Sequence, residues 1–264
     1  MTDRNMTPMG ARYGAHLTDT GVWVIKTQNV CCYLLIGAEK ALLIDTAYGK
    51  GDLRQVVEHI TSLPLIVVNT HTHHDHSGGN AFWDKVWAGP DSTRDAVRGH
   101  RLPYPGYQLC PLSDGQVFDL GGRSVEAVAI GAHHPSSFAF LDTKGKNLMV
   151  GDEIDAGQVL LNLRGDGKKN REVIQLHLAN MQKLKAMGGN FDRLFPAHNG
   201  APLSKDYIDD FIALSTGILQ NGIRPCPTVA GYGFPPFMWG GDRRLIRYRW
   251  HKASFICAKQ EDTK

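Results

Sequence analysis

The sequence has no paired-cysteine motif, no long apolar run and almost no excess of charge, and each absence excludes a class of protein. None of its five cysteines belongs to a Cys-x-x-Cys pair, so a sulfur-ligated zinc site is not expected; they are Cys31, Cys32, Cys110, Cys226 and Cys257. No apolar stretch approaches the ~20 residues that cross a bilayer, which argues against a membrane protein. A formal net charge of +3 is too small to predict nucleic acid or an anionic membrane as a partner.

The cysteine usage and the first residues together predict a cytoplasmic protein. The cysteines are odd in number and have no repeating spacing, which favours buried free thiols in a reducing compartment. Residues 1–20 include Arg and Asp and lack the apolar core of a signal peptide.

The composition is that of a packed globular protein. Of its 264 residues, 42% are hydrophobic and 21% are charged, and neither a repeat nor a linker interrupts them. We therefore predict a single domain over residues 1–264, with residues 222–264 wrapping it as a loop and a strand over 244–250. This tail contains four aromatic residues, Tyr232, Phe234, Phe237 and Trp239. They are expected to form an apolar wall for a substrate or, alternatively, to cover the core or a homodimer contact.

A basic cluster near the end of the chain has two readings. It consists of Arg243, Arg244, Arg247 and Arg249. A solvated strand face is favoured over a phosphate or carboxylate site, because such runs of charge are usually exposed.

Strand and helix patterns alternate along the chain. Residues 21–26, 33–36, 41–45 and 64–69 predict strands, and residues 52–61 predict an amphipathic helix between the last two. In the second half, residues 125–130, 138–141, 147–150 and 191–196 predict strands, while residues 172–187 and 207–219 predict helices. The glycine-containing stretch 153–169 is expected to form a mobile active-site loop.

A dense cluster of metal-binding side chains follows the strand predicted over residues 64–69. It reads His71-Thr72-His73-His74-Asp75-His76, followed by Ser77-Gly78-Gly79. His71 and His73 are two residues apart, so in extended chain both rings project from one side and can share a metal. A tight glycine turn can then bring Asp75 and His76 toward a second metal ~3.5–4 Å away. A His-rich surface tract of accidental composition seldom lies between an apolar strand and a glycine turn.

This segment resembles the His-x-His-x-Asp-His signature of the metallo-β-lactamase superfamily. The resemblance implies an α/β fold, a four-layer αβ/βα sandwich of two packed sheets flanked by helices, with metals at one edge. Leu42-Leu43-Ile44-Asp45-Thr46 resembles the family's early strand–Asp motif, in which the Asp lies near the metal histidines without ligating a metal.

Three further motifs complete the resemblance. Ala132-His133-His134-Pro135-Ser136-Ser137 is similar to the family's Gly-His-Thr-Pro-Gly-Ser; it implies that His133 is the third histidine ligand and leaves His134 as an alternative. Val150-Gly151-Asp152 resembles the strand–Gly-Asp motif whose Asp bridges both metals, and Ala197-His198-Asn199 resembles the last histidine motif. The implied site has one metal on His71, His73 and His133, the other on Asp75, His76 and His198, and Asp152 between them.

Such a site predicts a binuclear hydrolase of small molecules. Two divalent ions, zinc first and iron or manganese as alternatives, would activate water for attack on an ester, lactone or thioester, with Asp75 as the catalytic acid–base group. Asp152 stands where true β-lactamases carry Cys or Ser, so antibiotic hydrolysis is not expected. The residues after it, Glu153-Ile154-Asp155, do not match the glyoxalase-II-type thioesterases that the ligand set resembles.

Two other functions of the same fold stay open. A mononuclear iron dioxygenase acting on persulfides needs His71, His73, His133 and Asp152 but leaves the second site unfilled, whereas this sequence retains its ligands. A phosphodiesterase is the other alternative, although no flexible basic arm for RNA is apparent.

Overall fold

The computed structural model describes residues 5–6, 13–27, 29–90, 106–162, 169–226 and 245–260. The aromatic residues of the predicted tail wall, together with Arg243 and Arg244, lie outside these ranges. Among the described residues, no helix combines the length and the apolar character that crossing a membrane requires.

The first sheet has eight strands in sequence order. They are β1 (Asn5–Met6), β2 (Gly14–Leu17), β3 (Val22–Thr27), β4 (Val30–Ile36), β5 (Ala41–Ile44), β6 (Leu65–Val68), β7 (Lys85–Ala88) and β8 (Gln108–Pro111). Neighbours are antiparallel from β1 to β5 and parallel from β5 to β8. The change to parallel pairing requires a crossover, which helix α1 (Leu53–Ile60) supplies between β5 and β6. The Asp52 side chain caps this helix by accepting a hydrogen bond from the Gln55 N–H at 2.8 Å.

The second sheet has six strands and is formed mainly by the second half of the chain. Its order is β15-β14-β12-β11-β10-β9, from β9 (Val117–Asp119), β10 (Ser124–Ala129), β11 (Phe138–Asp142), β12 (Asn147–Gly151), β14 (Arg193–Pro196) and β15 (Leu203–Ser204). Only β12 and β14 pair in parallel, and helix α3 (Asn170–Ala186) lies between them in sequence.

The two sheets pack face to face, with helices on their outer faces. Buried side chains of both sheets share one core cluster, which includes Tyr33 and Ile44 from the first sheet and Phe140 and Phe195 from the second. A second cluster joins the outer face of the first sheet to α1, and a third joins the outer face of the second sheet to α3 and α4 (Tyr207–Leu219). This is the predicted αβ/βα arrangement, so the predicted fold class is confirmed.

A small third sheet was only partly predicted. It pairs β13 (Val159–Leu161) with β17 (Ala253–Ala258) and β17 with β16 (Leu245–Trp250). The prediction of a strand over 244–250 agrees with β16, whereas β17 was missed because its mixed sequence has no clear period of two. The prediction of a mobile loop over 153–169 was wrong for its described part, because Glu153, Ile154 and Asp155 are buried and β13 is a strand.

A buried ion pair ties the two sheets together at the end away from the histidines. Arg123 donates from Nε and Nη2 to both carboxylate oxygens of Asp142, at 3.1 and 2.7 Å. Its Nη1 donates to the carbonyl oxygens of Gly21, directly before β3, and Ile36, the last residue of β4, at 2.9 and 3.3 Å. Because the pair is almost fully buried, removing one partner leaves a buried charge that the remaining hydrogen bonds compensate only in part.

We predict that Asp142→Ala lowers the free energy of unfolding by about 3–5 kcal/mol, the range for breaking a buried pair. Urea denaturation followed by circular dichroism measures the change. The matched control is Asp19→Ala, which breaks the exposed Arg193–Asp19 pair and should change stability far less. Equal effects of the two substitutions would contradict the structural role given to Asp142.

Candidate metal centre

Strand ends from both sheets converge at one edge of the sandwich and carry the predicted site residues. In the first sheet, Asp45 follows β5 and the segment that starts at Asn69 follows the parallel strand β6. In the second sheet, Asp152 follows β12, and His198 comes two residues after the parallel strand β14. Since parallel strands end at the same edge, the topology itself assembles side chains that are far apart in sequence.

Three histidines form the first group. His73 Nδ1 lies 2.9 Å from His71 Nε2 and 3.1 Å from His133 Nε2. Nitrogens held ~2.0–2.1 Å from one tetrahedral zinc ion are roughly 3.3 Å apart, so these spacings suit three ligands of one ion. The loop after β10 directs His133 into the group, whereas His134 Nδ1 pairs with the Ser136 hydroxyl at 2.8 Å. This geometry favours His133 over His134 as the third histidine.

Asp75, His76 and His198 form the second group. His76 Nε2 lies 3.5 Å from Asp75 Oδ2, and His198 Nε2 lies 3.4 Å from the same oxygen. Asp75 and His76 belong to a single-turn helix, α2 (His74–Ser77), which starts directly after His73. The tight turn predicted from the glycines therefore exists, and its close packing needs Gly78, because a Cβ there would lie 2.4 Å from the backbone of Tyr48.

Asp152 lies between the two groups and faces both. Its Oδ2 is 3.9 Å from His71 Nε2 and 3.6 Å from His133 Nε2. Its Oδ1 is 3.5 Å from His76 Nε2 and 3.4 Å from His198 Nε2. One carboxylate thus presents a different oxygen to each group, which is the arrangement a bridging ligand requires.

In four of the histidines, the ring nitrogen that faces away from the centre, Nδ1, has a hydrogen-bond partner. They are His71, His76, His133 and His198. Asp45 Oδ2 lies 2.9 Å from His76 Nδ1 and accepts from the Thr70 hydroxyl at 2.7 Å, while that hydroxyl lies 3.1 Å from His71 Nδ1. His133 Nδ1 donates to the Leu160 carbonyl at 2.7 Å, and His198 Nδ1 donates to the Asn29 carbonyl at 2.5 Å. These bonds fix the tautomer in which Nε2 carries a free lone pair toward the centre.

The two groups differ in electrostatics. Burial lowers the pKa of His71 and His73 well below the usual value and also lowers that of His133, and neighbouring histidines lower all three further, so these rings are neutral. Burial alone would lower the pKa of His198, but Asp152 and Asp75 raise it to about 11. The same carboxylates, with Asp45, raise the pKa of His76 well above the usual value. The second group therefore has an excess of negative charge that attracts either protons or a metal cation.

Two buried atoms support the fit of this site to a metal. Among the residues that the structure describes, His76 Nε2 and Asp152 Oδ1 are buried and have no hydrogen-bond partner. Buried polar atoms are normally paired, and both of these point to the space between the second-group ligands. Ligand atoms of three residue triplets lie within 4.8 Å of one another, namely His71–His73–His133, His71–His76–Asp152 and Asp75–His76–His198. A donor set of imidazoles and carboxylates suits zinc, iron or manganese.

Several contributors to the site were not found from the sequence. Glu153 Oε1 accepts hydrogen bonds from the backbone N–H groups of Ala132 and His133 at 2.9 and 2.7 Å. Burial raises the pKa of Glu153 to about 8, against the lowering effect of these two bonds. The carbonyls of Asn29 and Leu160 have no residue-type signal at all. For Glu153 the sequence offered one signal, namely that Glu153 and Asp155 flank Ile154 shortly after a predicted strand.

Comparison with known proteins identifies the family of this chain. The profile of the metallo-beta-lactamase superfamily matches residues 26–198. A lactamase-like protein, ptaB, of Pestalotiopsis fici is 28% identical over 181 residues, which cover 65% of this chain and 50% of that protein. The acyl-coenzyme A thioesterase MBLAC2 of Homo sapiens is 27% identical over 165 residues, with coverages of 48% and 59%. An atrochrysone carboxyl ACP thioesterase of Aspergillus fumigatus is 24% identical over 179 residues, with coverages of 66% and 52%. The chain thus spans about half the length of the curated relatives it matches.

Solved structures share the fold. A metallo-beta-lactamase from Pontibacter korlensis superposes with a TM-score of 0.63 at 18% identity, covering 77% of this chain and 99% of that one. A flavo di-iron protein from Thermotoga maritima superposes with a TM-score of 0.60 at 15% identity, covering 78% and 62%. The family profile covers well over half of the sequence, and this chain belongs to the metallo-β-lactamase superfamily.

Proposed function

We propose that this protein is a binuclear metal-dependent hydrolase that cleaves small-molecule acyl thioesters. The observation that carries the proposal is the position of Asp152, whose two oxygens face two separate groups of ligand atoms. A mononuclear dioxygenase would need only the first group, and the second group here is complete and has its own orienting hydrogen bonds.

The proposed ligands divide as the sequence predicted. His71, His73 and His133 would hold one divalent ion, Asp75, His76 and His198 the other, and Asp152 would contact both. When bound, such ions polarise a carbonyl oxygen and lower the pKa of water toward neutrality. Zinc is the first expectation, and the same donors accept iron or manganese.

Asp75 is the proposed catalytic acid–base group. Its side chain is 25% exposed, so it reaches the solvent side of the site while the imidazoles remain enclosed. Burial raises its pKa, but the neighbouring His76 and His198 rings outweigh that effect and hold the pKa well below the usual range. Asp75 is therefore ionised, and its free oxygen can accept a hydrogen bond that orients the attacking water. Asp45 and Thr70 would act indirectly, by keeping the rings of His76 and His71 in place.

A thioester is the substrate class that the relatives support. Two of the matched proteins are named as thioesterases, one for acyl-coenzyme A and one for an acyl carrier protein. In the balanced reaction, water adds to the acyl carbon, the C–S bond breaks, and the products are a carboxylic acid and a thiol. The thiolate is a good leaving group, so the protein's main task is to position the water and the carbonyl.

We expect His73→Ala to lose metal and thioester hydrolysis together. His73 Nδ1 is the atom that both other first-group nitrogens approach, so its removal opens that site. Turnover should fall by more than the roughly 10–100-fold that loss of an orienting partner costs. Elemental analysis and release of free thiol from an acyl-coenzyme A measure the two effects.

The matched control for this substitution is His59→Ala, an exposed histidine on α1 whose ring contacts only its own helix in the described contacts. Two metals per chain are expected in the control. Full activity in the His73→Ala protein would contradict the proposed site, and one iron per chain in the unmodified protein would favour the dioxygenase.

Asp75→Asn should lower kcat by about 100-fold or more while the protein stays folded, since acid–base groups contribute ~10²–10⁴ in rate. The exposed Asp84→Asn serves as the control for loss of one carboxylate. Thermal unfolding and steady-state kinetics separate the two effects. Unchanged kcat in Asp75→Asn would rule out this role.

The substrate class is tested by one panel on the metal-loaded protein. We expect kcat/KM for an acyl-coenzyme A to exceed that for an aryl ester, a lactone and bis-p-nitrophenyl phosphate by about tenfold or more, which corresponds to ~1.4 kcal/mol of transition-state binding. A preference for the phosphodiester would replace the proposed thioesterase with a phosphodiesterase.

A further inference from the structure

We propose that the two acidic residues after Asp152 are positioning residues, each of which holds the loop of one histidine: Glu153 the loop of His133, and Asp155 the loop of His198. The inference rests on the metal centre proposed above. It assigns a role to the Asp152-Glu153-Ile154-Asp155 segment, which departs from the thioesterase pattern.

Glu153 is connected to the first group through the backbone of His133. Its side chain is 1% exposed, and one oxygen accepts the N–H groups of both Ala132 and His133. The His133 ring is itself held by the Leu160 carbonyl. Glu153 therefore sets the position of the backbone from which His133 projects, and a shift of that backbone moves Nε2 relative to His73.

Asp155 is connected to the second group through Asn199, the residue after His198. Its side chain is 4% exposed, and its Oδ1 accepts from Asn199 Nδ2 at 2.8 Å and from the Gly157 N–H at 2.5 Å. Asn199 directly follows His198 and has a φ of +55°, in the left-handed region. The hydrogen bond to Asp155 thus fixes a strained turn that carries a second-group ligand.

The segment between these two residues is anchored in the core, so it can serve as a rigid support. Ile154 is fully buried in the cluster that joins the second sheet to its helices. His177 of α3 lies against the backbone here, with its Nε2 2.8 Å from the Glu153 carbonyl. One fixed stretch of chain therefore carries three acidic side chains with different targets. Asp152 faces the centre, Glu153 contacts the loop of His133, and Asp155 contacts the loop of His198.

This arrangement predicts that the two metal sites can be weakened separately. Loss of an outer hydrogen-bond partner typically lowers metal affinity by ~10–100-fold. Glu153→Ala should produce that loss in the site that contains His133, and Asp155→Ala in the site that contains His198. A general loss of packing would instead affect both sites and the stability of the fold together.

The experiment titrates the metal-free full chain with Co²⁺ and follows visible absorption, with thermal unfolding measured in parallel. His133→Ala and His198→Ala identify the two binding steps. Two residues that act as one unit have non-additive effects, so Glu153→Ala should add little loss in the His133→Ala background and its full 10–100-fold loss in the His198→Ala background. Asp155→Ala should give the reverse pattern.

Conservative variants separate a hydrogen-bonding role from simple space filling. Glu153→Gln and Asp155→Asn keep an acceptor oxygen and should restore Co²⁺ affinity to within a few-fold of the unmodified protein. Asn199→Gly removes the partner of Asp155 while allowing the positive φ, and should reproduce the loss of Asp155→Ala. Glu153→Gln and Asp155→Asn also provide folded proteins if an alanine variant unfolds.

Additive losses in all four double variants, or equal losses in the alanine and amide variants, would overturn the proposal. Because Co²⁺ binding is measured without substrate, an inactive enzyme with the expected binding pattern would contradict the thioesterase proposal and leave this one standing.

Discussion

The structure depends on bringing three carboxylates and five imidazoles together at one buried edge. Without a cation, Asp45, Asp75 and Asp152 would repel one another in a largely buried region, and the charge of Asp152 and Asp75 raises the pKa of His198 to about 11 although burial alone would lower it. The proposed divalent ions would remove this conflict by replacing the protons. Metal binding and the local fold would then be coupled, and every residue that positions a proposed ligand would also determine how well the negative charge is balanced.

The sandwich can hold this concentration of charge because its apolar core is formed by other residues. Apolar side chains fill the space between the sheets and under the helices, and the ligands occupy only the loops at the strand ends. The Arg123–Asp142 pair holds the sheets together from the other end. Rigid strands then place loops from distant parts of the sequence within a few ångströms of one another, which short loops alone could not do.

The sequence predicted what is encoded by residue type and local spacing. Eight of the fourteen described strands in the two large sheets (β3–β6, β10–β12 and β14), the helix over 207–219 and the turn after His73 follow from apolar period and glycine, and the structure has each of them. Strands β1, β2, β7, β8, β9 and β15 were not predicted. The position of Asp152 between the two groups and the convergence of His133 and His198 could be predicted only from the family resemblance, because nothing local relates residues so far apart. Contacts made by backbone carbonyls, such as those of Leu160 and Asn29, have no residue-type signal. The burial of Glu153 was missed because charged residues are usually exposed, and its two backbone partners lie 20 and 21 residues away.

The fold alone does not identify the substrate, since a metallo-beta-lactamase and a flavo di-iron protein share it at 18% and 15% identity to this chain. What distinguishes one member from another must lie in the segments that support or surround the common ligands. In this chain the segment after Asp152 buries two acids where a strand end would ordinarily turn to solvent. Burying a carboxyl group is costly unless hydrogen bonds compensate it, and here Glu153 Oε1 and Asp155 Oδ1 accept such bonds from the loops of His133 and Asn199. The same bonds hold the loops that carry two of the proposed ligands, so under the proposal above a change in this segment would alter the metal centre before it altered the fold.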